Sequence, residues 1–267
     1  LVGHDSAVSD GYRIYTTIDS ALQKAAEKAL HDQLLKIERR PDYEHTKYAE
    51  YSALYRGYQR RPAGADEEDT ELPPPDYLQG AVTVVDNSTG AILALVGGRE
   101  FQHSEYNRAY ARRPAGTAFK PLVYAAAFEK GFFPGTVLQD AVLDNRQVMI
   151  GGTTGILGEW GPERVDNRYE GAISARDALV KSKNAATVRL GMLTGIENVV
   201  ELAKNAGIES PLRMFPATYL GSSEVTLMEM TLANTIFPNG GWGAAGPFVI
   251  DRIEEKEGII IYRSQPK

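Results

Sequence analysis

Between Gly11 and Ile18 the chain reads GYRIYTTI, largely alternating and rich in β-branched and aromatic residues, which predicts a strand. Asp19 and Ser20 offer an N-cap to the run that follows, ALQKAAEKALHDQLLKIERR. In it Leu22, Ala26, Ala29, Leu30, Leu34 and Ile37 recur at helical spacing and mark one apolar face. The pattern is lost over residues 39–77, which are charged and tyrosine-rich and end in AGADEEDTELPPPD. Acidic residues followed by three prolines exclude a helix or an inner strand there. The expectation is an exposed insertion with a disordered tip.

Residues 78–98, LQGAVTVVDNSTGAILALVGG, hold two apolar runs around the turn-forming cluster DNSTG and predict a hairpin. The second run ends in Gly97-Gly98, where backbone is expected to approach a neighbour closely. After the polar loop REFQHSEYNRAYARR, helical periodicity covers about 117–130, 173–181, 184–206 and 225–237. The segments GGTTGILGEWGP and PNGGWGAAGP interrupt it, and there is no internal repeat. Strand, helix, hairpin and then helices predict an α+β fold with a helical subdomain. The corresponding parts are 11–38 (strand and helix), 39–77 (charged, Pro-rich insertion), 78–98 (hairpin) and 99–250 (helical region).

With 43% apolar and 24% charged residues, the 267-residue chain can bury a core as one large domain or two modest ones. A net charge of -6 gives no reason to expect nucleic-acid binding. There are no cysteines, which excludes a disulfide framework and thiolate metal sites. No apolar run reaches the ~18 residues of a membrane span. Leu at position 1, with no signal peptide, reads as the start of an excised or processed piece.

The candidate chemistry begins in RRPAGTAFKPLVYAAAF, residues 112–128, where Thr117 precedes Lys120 by three positions at the front of an apolar helical run. A hydroxyl at a helix start meets the positive end of the macrodipole and free N–H groups. Lys120 falls on the same face one turn on. Among Phe119, Leu122 and Val123 it loses solvation, which lowers a lysine pKa and lets it accept the hydroxyl proton. The plainer alternative is a capping Thr117 and a Lys120 that snorkels to solvent. SQPK at 264–267 repeats the spacing, but Pro266 and its place at the chain end leave it without a helix.

Ser182-Lys183-Asn184 is the one Ser-x-Asn in the chain and lies between two helical segments. The Ser182 hydroxyl could bridge to Lys120 and relay a proton, and the Asn184 amide could hold a substrate amide. The alternative is that Ser182 or Asn184 simply caps the helix that follows. His4, His31, His45 and His103 show no metal-ligand spacing, and VGGRE lacks the ending of a phosphate-binding loop. His103 and Arg108 read as structural, and Glu163 and Asp166 are left without a role.

These segments together resemble the transpeptidase domain of class A penicillin-binding proteins. YTTIDSALQKAAEKAL, the hairpin at 78–98, YNRAYARR, GTAFKPLVYAAAF, NRYEGAISARDALVKSKNAATVRL and YLGSSEVTLMEMTLANTIFPNGG carry the resemblance. It covers nearly everything except residues 39–77. It implies a penicillin-binding, serine-transpeptidase-like α+β fold, with an antiparallel sheet flanked by helices and an all-helical subdomain. Thr117 stands at the family's nucleophile position, Lys120 at its activating lysine and Ser182 at its proton-relaying serine. Asn184 stands at the asparagine that binds the stem peptide. The implied reaction is acyl transfer from D-Ala-D-Ala stem peptides of peptidoglycan, trapped by β-lactams, with no metal or other cofactor. The implied location is periplasmic, or on the outer face of the cytoplasmic membrane, anchored by a segment outside this chain.

The chain departs from the family pattern in three places. The nucleophile position is Thr, whose extra methyl stiffens χ1 beside the attacking oxygen. Pro114-Ala115-Gly116 replaces the family's Gln-Pro-Gly. No Lys-Ser/Thr-Gly triplet occurs, although the family uses that strand for a substrate cation, an oxyanion N–H and a peptide-pairing edge. The expectation is that a second polypeptide supplies the C-terminal sheet strands and this third motif. The alternative reading is a non-catalytic scaffold or peptidoglycan-sensing module. A serine β-lactamase shares the first motif, but TTID and YNRAYARRPAG argue for the penicillin-binding flanks.

Overall fold

The computed structural model describes residues 11–60, 72–143 and 168–265. The first elements are β1 (Arg13–Thr16), α1 (Ser20–Glu38), α2 (Tyr48–Gln59), β2 (Val82–Val85) and β3 (Ile92–Val96). Then come β4 (Arg113–Pro114), α3 (Lys120–Glu129), β5 (Val137–Asp140), β6 (Gly171–Ser174) and α4 (Ala175–Val180). The last are α5 (Asn184–Thr194), α6 (Ile196–Asn205), β7 (Glu224–Val225), α7 (Leu227–Ala233), β8 (Ile250–Glu254) and β9 (Ile260–Arg263). Helices with small antiparallel sheets make an α+β fold. The chain forms two units, one of residues up to 86, 91–110 and 247–265, the other of 87–90 and 111–246. The loop 99–110, grouped with the helices from sequence, therefore belongs with the first unit.

In the first unit α1 starts where the sequence placed it, with the Asp19 carboxylate accepting from the N–H groups of Ala21 and Leu22. Its inner face carries Ala26 against Ala94 and Val96 of the β2–β3 hairpin, with Leu30 alongside. Leu22 and Ala29, expected on that face, are exposed. Gln23 takes part of the contact instead. Its amide donates to Leu95 O at 3.0 Å and accepts from Leu95 N at 2.8 Å, so it pairs with β3 as a neighbouring strand would.

β1 pairs with β8, not with the hairpin, and β9 completes a three-stranded antiparallel sheet in the order β1-β8-β9. The sequence reading placed no strand over 250–263.

The largest correction lies in 39–77. This segment contains a helix, α2, and its tyrosines are structural. Tyr51 and Tyr77 are buried, Tyr51 Oη donates to Pro73 O, and the two rings surround His103 with Tyr48 and Tyr55. Tyrosine packs as an amphipathic body, so a run that reads as polar can bury one face. A buried Arg99–Glu38 ion pair fastens the base of the insertion, with the guanidinium 4.3 Å from the centre of the Tyr48 ring. The expected disordered tip falls in 61–71, outside the described residues.

In the second unit α3 is central. Phe119, Leu122, Val123, Tyr124, Ala126 and Ala127 pack against Ala185, Val188 and Leu190 of α5 and Val199, Leu202 and Ala203 of α6. Gly195 divides the predicted helix 184–206 in two, with φ +90. The glycine- and tryptophan-containing break, with Glu163 and Asp166, lies outside the described residues.

Candidate functional site

Thr117, Lys120, Ser182 and Asn184 all belong to the second unit, and three of them converge. Lys120 is buried at 1% exposure. Its Nζ donates to Ser182 O, to Ser182 Oγ at 2.9 Å and to Asn184 Oδ1 at 2.7 Å. The snorkelling alternative is thereby overturned.

Thr117 does not begin the α-helix as expected. It sits in a 3₁₀ turn, Gly116–Phe119, and α3 starts at Lys120. The physical reason is Pro121, which has no N–H to give to the Thr117 carbonyl. The Lys120 N–H takes that carbonyl instead, an i→i+3 bond. A 3₁₀ turn eclipses i and i+3, so the Thr117 and Lys120 side chains leave the same edge of the chain. Thr117 is exposed, and among the described residues neither its N–H nor its hydroxyl has a hydrogen-bond partner. It caps nothing, since α3 has no side-chain cap.

Ser182 is held in an unusual backbone state. Its φ is +57, the left-handed region, and among the described residues it is the one non-glycine residue there. The cause is the end of α4. Ser182 N bonds Leu179 O at 3.0 Å and Lys183 N bonds Ala178 O at 2.8 Å. Those two bonds define a Schellman turn, whose left-handed position normally takes glycine. Here it holds serine, and the turn aims both the Ser182 carbonyl and hydroxyl at Lys120. A residue in that state is kept there by the bonds around it. Neither Ser182 nor Asn184 caps α5, whose N-cap is Lys183 without a side-chain cap bond.

Two supports escaped the sequence reading. Tyr124, one turn beyond Lys120, is buried, and burial pushes its phenol up to about 12, against a lowering hydrogen bond with Thr187. Thr187 Oγ1 donates to Lys183 O at 2.7 Å, so its bond to Tyr124 at 3.1 Å takes the Tyr124 proton. This chain ties α3 to the base of the Ser182 turn. The second support is Gly221, with φ +72. Gly116 N donates to Gly221 O at 2.9 Å, and a Cβ on Gly221 would lie 2.1 Å from Gly116 O. With β4 paired to β7, this contact fixes the approach to Thr117 from the N-terminal side. No signal in the sequence pairs these two glycines.

His103 and Arg108 lie in the first unit, bonded to Tyr77 Oη and to Ser104 Oγ and Tyr106 O. Burial lowers the His103 pKa, with the Glu100 charge opposing. Gly97 and Gly98 give room to that same loop, where added Cβ atoms would meet Asn107 and Arg108. Among the described residues no helix is long and apolar enough to cross a membrane.

A family profile described as the penicillin binding protein transpeptidase domain matches residues 80–260. The chain is 37% identical over 191 residues to penicillin-binding protein 1A of Neisseria lactamica, covering 71% of this chain and 23% of that protein. It is 35% identical over 190 residues to penicillin-binding protein 1A of Pseudomonas aeruginosa, covering 70% and 22%. The chain thus spans about a quarter of the length of these relatives. Among solved structures, penicillin-binding protein 1A from Haemophilus influenzae superposes with a TM-score of 0.78 at 24% identity, covering 99% of this chain and 48% of that one. PonA1 from Mycobacterium tuberculosis, solved in complex with penicillin V, gives 0.68 at 21% identity, covering 98% and 60%. These structural likenesses establish the fold.

Proposed function

This chain belongs to the penicillin-binding protein transpeptidase family, and from that premise we propose that it carries the acyl-transfer centre of a peptidoglycan D,D-transpeptidase, with Thr117 as nucleophile. The observation that carries the reading is the cage of Ser182 and Asn184 around Lys120, one eclipsed turn from an unpartnered Thr117 hydroxyl.

The chemistry follows from counting donors and lone pairs. A neutral Lys120 amine gives its two N–H groups to Ser182 O and Asn184 Oδ1 and keeps one lone pair for the Thr117 proton, and the N–H so gained makes the third contact, to Ser182 Oγ. Thr117 Oγ1 adds to the carbonyl of the penultimate D-Ala of a stem peptide as its proton passes to Lys120. The C–N bond to the terminal D-Ala then breaks. Ser182 relays a proton from Lys120 to the departing amine, and D-Ala leaves. The amine of a second stem peptide attacks the threonyl ester, forms the cross-link and returns the proton to Thr117. The Thr117 N–H, with no partner within the turn, is a suitable donor to the oxyanion. Asn184 orients the stem peptide through its amide NH₂. A β-lactam acylates the same oxygen, but its leaving nitrogen stays tethered. Peptidoglycan lies outside the cytoplasmic membrane, which is where this reading puts the domain.

A second reading, a non-catalytic peptidoglycan-sensing scaffold, is favoured by the methyl on the nucleophile position and by the lack of Lys-Ser/Thr-Gly in residues 1–267. Release of D-Ala from a D-Ala-D-Ala pentapeptide separates the two. The assay is run with and without a polypeptide carrying the third motif, and with Thr117→Ala as control. Release that depends on Thr117 supports the enzyme. Binding of the peptide without release under both conditions supports the scaffold.

A further inference from the structure

The middle residue of Ser182-Lys183-Asn184 is wholly buried, at 0% exposure. Its Nζ lies 3.2 Å from Glu170 Oε1, 3.6 Å from Asp140 Oδ2 and 3.0 Å from Arg168 O. Asp140 is itself buried, at 2% exposure, and also accepts from Glu170 N at 3.0 Å. Asp140 closes β5 and pairs with Gly171 at the start of β6. Lys183 therefore fastens the turn between α4 and α5 to the end of the β5–β6 pair where the connecting segment leaves β5 and enters β6.

A buried ammonium is costly to desolvate, and an apolar side chain of similar volume would fill the space more cheaply. A charged anchor does something an apolar one cannot, since it fixes direction. Ser182 precedes Lys183 in a left-handed conformation that serine does not favour, so neighbouring bonds must hold it there. The Schellman bonds fix the Ser182 and Lys183 N–H groups. Beyond them Lys183 O accepts from Thr187 N and Thr187 Oγ1, and the Lys183 side chain adds a tether that leaves the turn for the β5–β6 pair.

We propose that Lys183, bound by Asp140 and Glu170, is a positioning residue that keeps Ser182 in its left-handed state and so keeps the Ser182 carbonyl and hydroxyl on Lys120. The proposal deepens the acyl-transfer reading and rests on it for its catalytic consequence. The geometric half stands on the tether alone. Lys181 shares Glu170, at 2.5 Å, but is about half exposed and supplies the internal control.

The test uses Lys183→Met, Glu170→Gln and Lys181→Met with two readouts. The first is hydrogen exchange at the backbone amides of residues 182 and 183, with the amides of α3 as reference. The second is reaction with a reporter penicillin, separated into non-covalent affinity and acylation rate constant. For Lys183→Met the expected result is at least tenfold faster exchange at the two turn amides with α3 unchanged. The acylation rate constant falls at least tenfold and the non-covalent affinity stays within twofold. Glu170→Gln, at a partly exposed side chain and tolerated if Lys183→Met does not fold, shows the same pattern at roughly threefold. Lys181→Met matches wild type. Turn amides that exchange at the wild-type rate in both tether variants overturn the proposal, as does an equal loss of protection across α3. A wild-type chain that takes up no penicillin with the segment carrying the third motif supplied sinks the acyl-transfer reading, and the exchange data then decide the tether on their own.

Discussion

The Ser182 hydroxyl lies 2.9 Å from Lys120 Nζ, and Ser182 reaches it from a backbone conformation that favours glycine. The serine is thus kept against its own backbone preference. A non-glycine residue in the left-handed region costs about 1–2 kcal/mol, so stability and reactivity should part company at this position. Ser182→Gly relieves the strain and removes the hydroxyl, whereas Ser182→Ala removes the hydroxyl and keeps the strain. Urea unfolding is expected to find Ser182→Gly more stable than Ser182→Ala by about 1 kcal/mol. Both variants lose at least tenfold in acylation rate. Equal stabilities would show that the turn imposes no strain.

The contact between Gly116 and Gly221 makes a sharper demand. A Cβ on Gly221 meets the Gly116 carbonyl at 2.1 Å, while one on Gly240, also at positive φ, has nothing within 4 Å. Gly221→Ala should cost about 3 kcal/mol and displace the Thr117 turn. Gly240→Ala should cost only the backbone strain, about 1 kcal/mol. Thermal melts of the two variants side by side check the difference. Similar losses would mean that the close approach at Gly116 relaxes freely.

Acid stability should depend on Glu229. Its carboxylate completes a capping box with Thr226 at the start of α7 and accepts from Ser210 N and Ser210 Oγ as well. Burial pushes its pKa up, but those hydrogen bonds outweigh it and hold the group below its ordinary 4.5. A depressed carboxylate contributes stability that is present above the unfolded pKa and lost as pH falls through the folded one. Glu229 therefore contributes at neutral pH, and its contribution fades below about pH 4.5. Glu229→Gln should lower stability at pH 7 by about 2 kcal/mol and flatten the acid limb of the pH–stability curve. An unchanged acid limb would remove Glu229 from the account.

The sequence was most legible where spacing alone sets geometry. Thr117 and Lys120 share an edge because they are three apart, and Ser182 and Asn184 both reach Lys120 because the turn between α4 and α5 brings them there. Asp19 announced its helix by its position before an apolar period. What stayed hidden depended on partners distant in the chain or on residues behaving against type. A serine in the left-handed turn position gives no signal, because the ordinary signal is glycine. Lys183 reads as a solvated charge until Asp140 and Glu170 are brought beside it. The helix α2 was missed because its packing face is built from tyrosines. Pro121 shifted the start of α3 past Thr117 by withholding one N–H, an effect visible in the sequence once the hydrogen-bond ladder is counted residue by residue.

The central claim is that the Thr117 oxygen is the acyl acceptor, and the most direct measurement is the intact mass of the protein after incubation with a reactive penicillin. Wild type, Thr117→Ser and Thr117→Ala are compared, each with the segment carrying the third motif supplied. Wild type should gain one penicillin, mapped to the peptide containing Thr117. Thr117→Ser should gain it about tenfold faster, because the methyl that stiffens χ1 is gone. Thr117→Ala should gain none. An adduct that persists in Thr117→Ala, or one absent from both wild type and Thr117→Ser, would contradict the account.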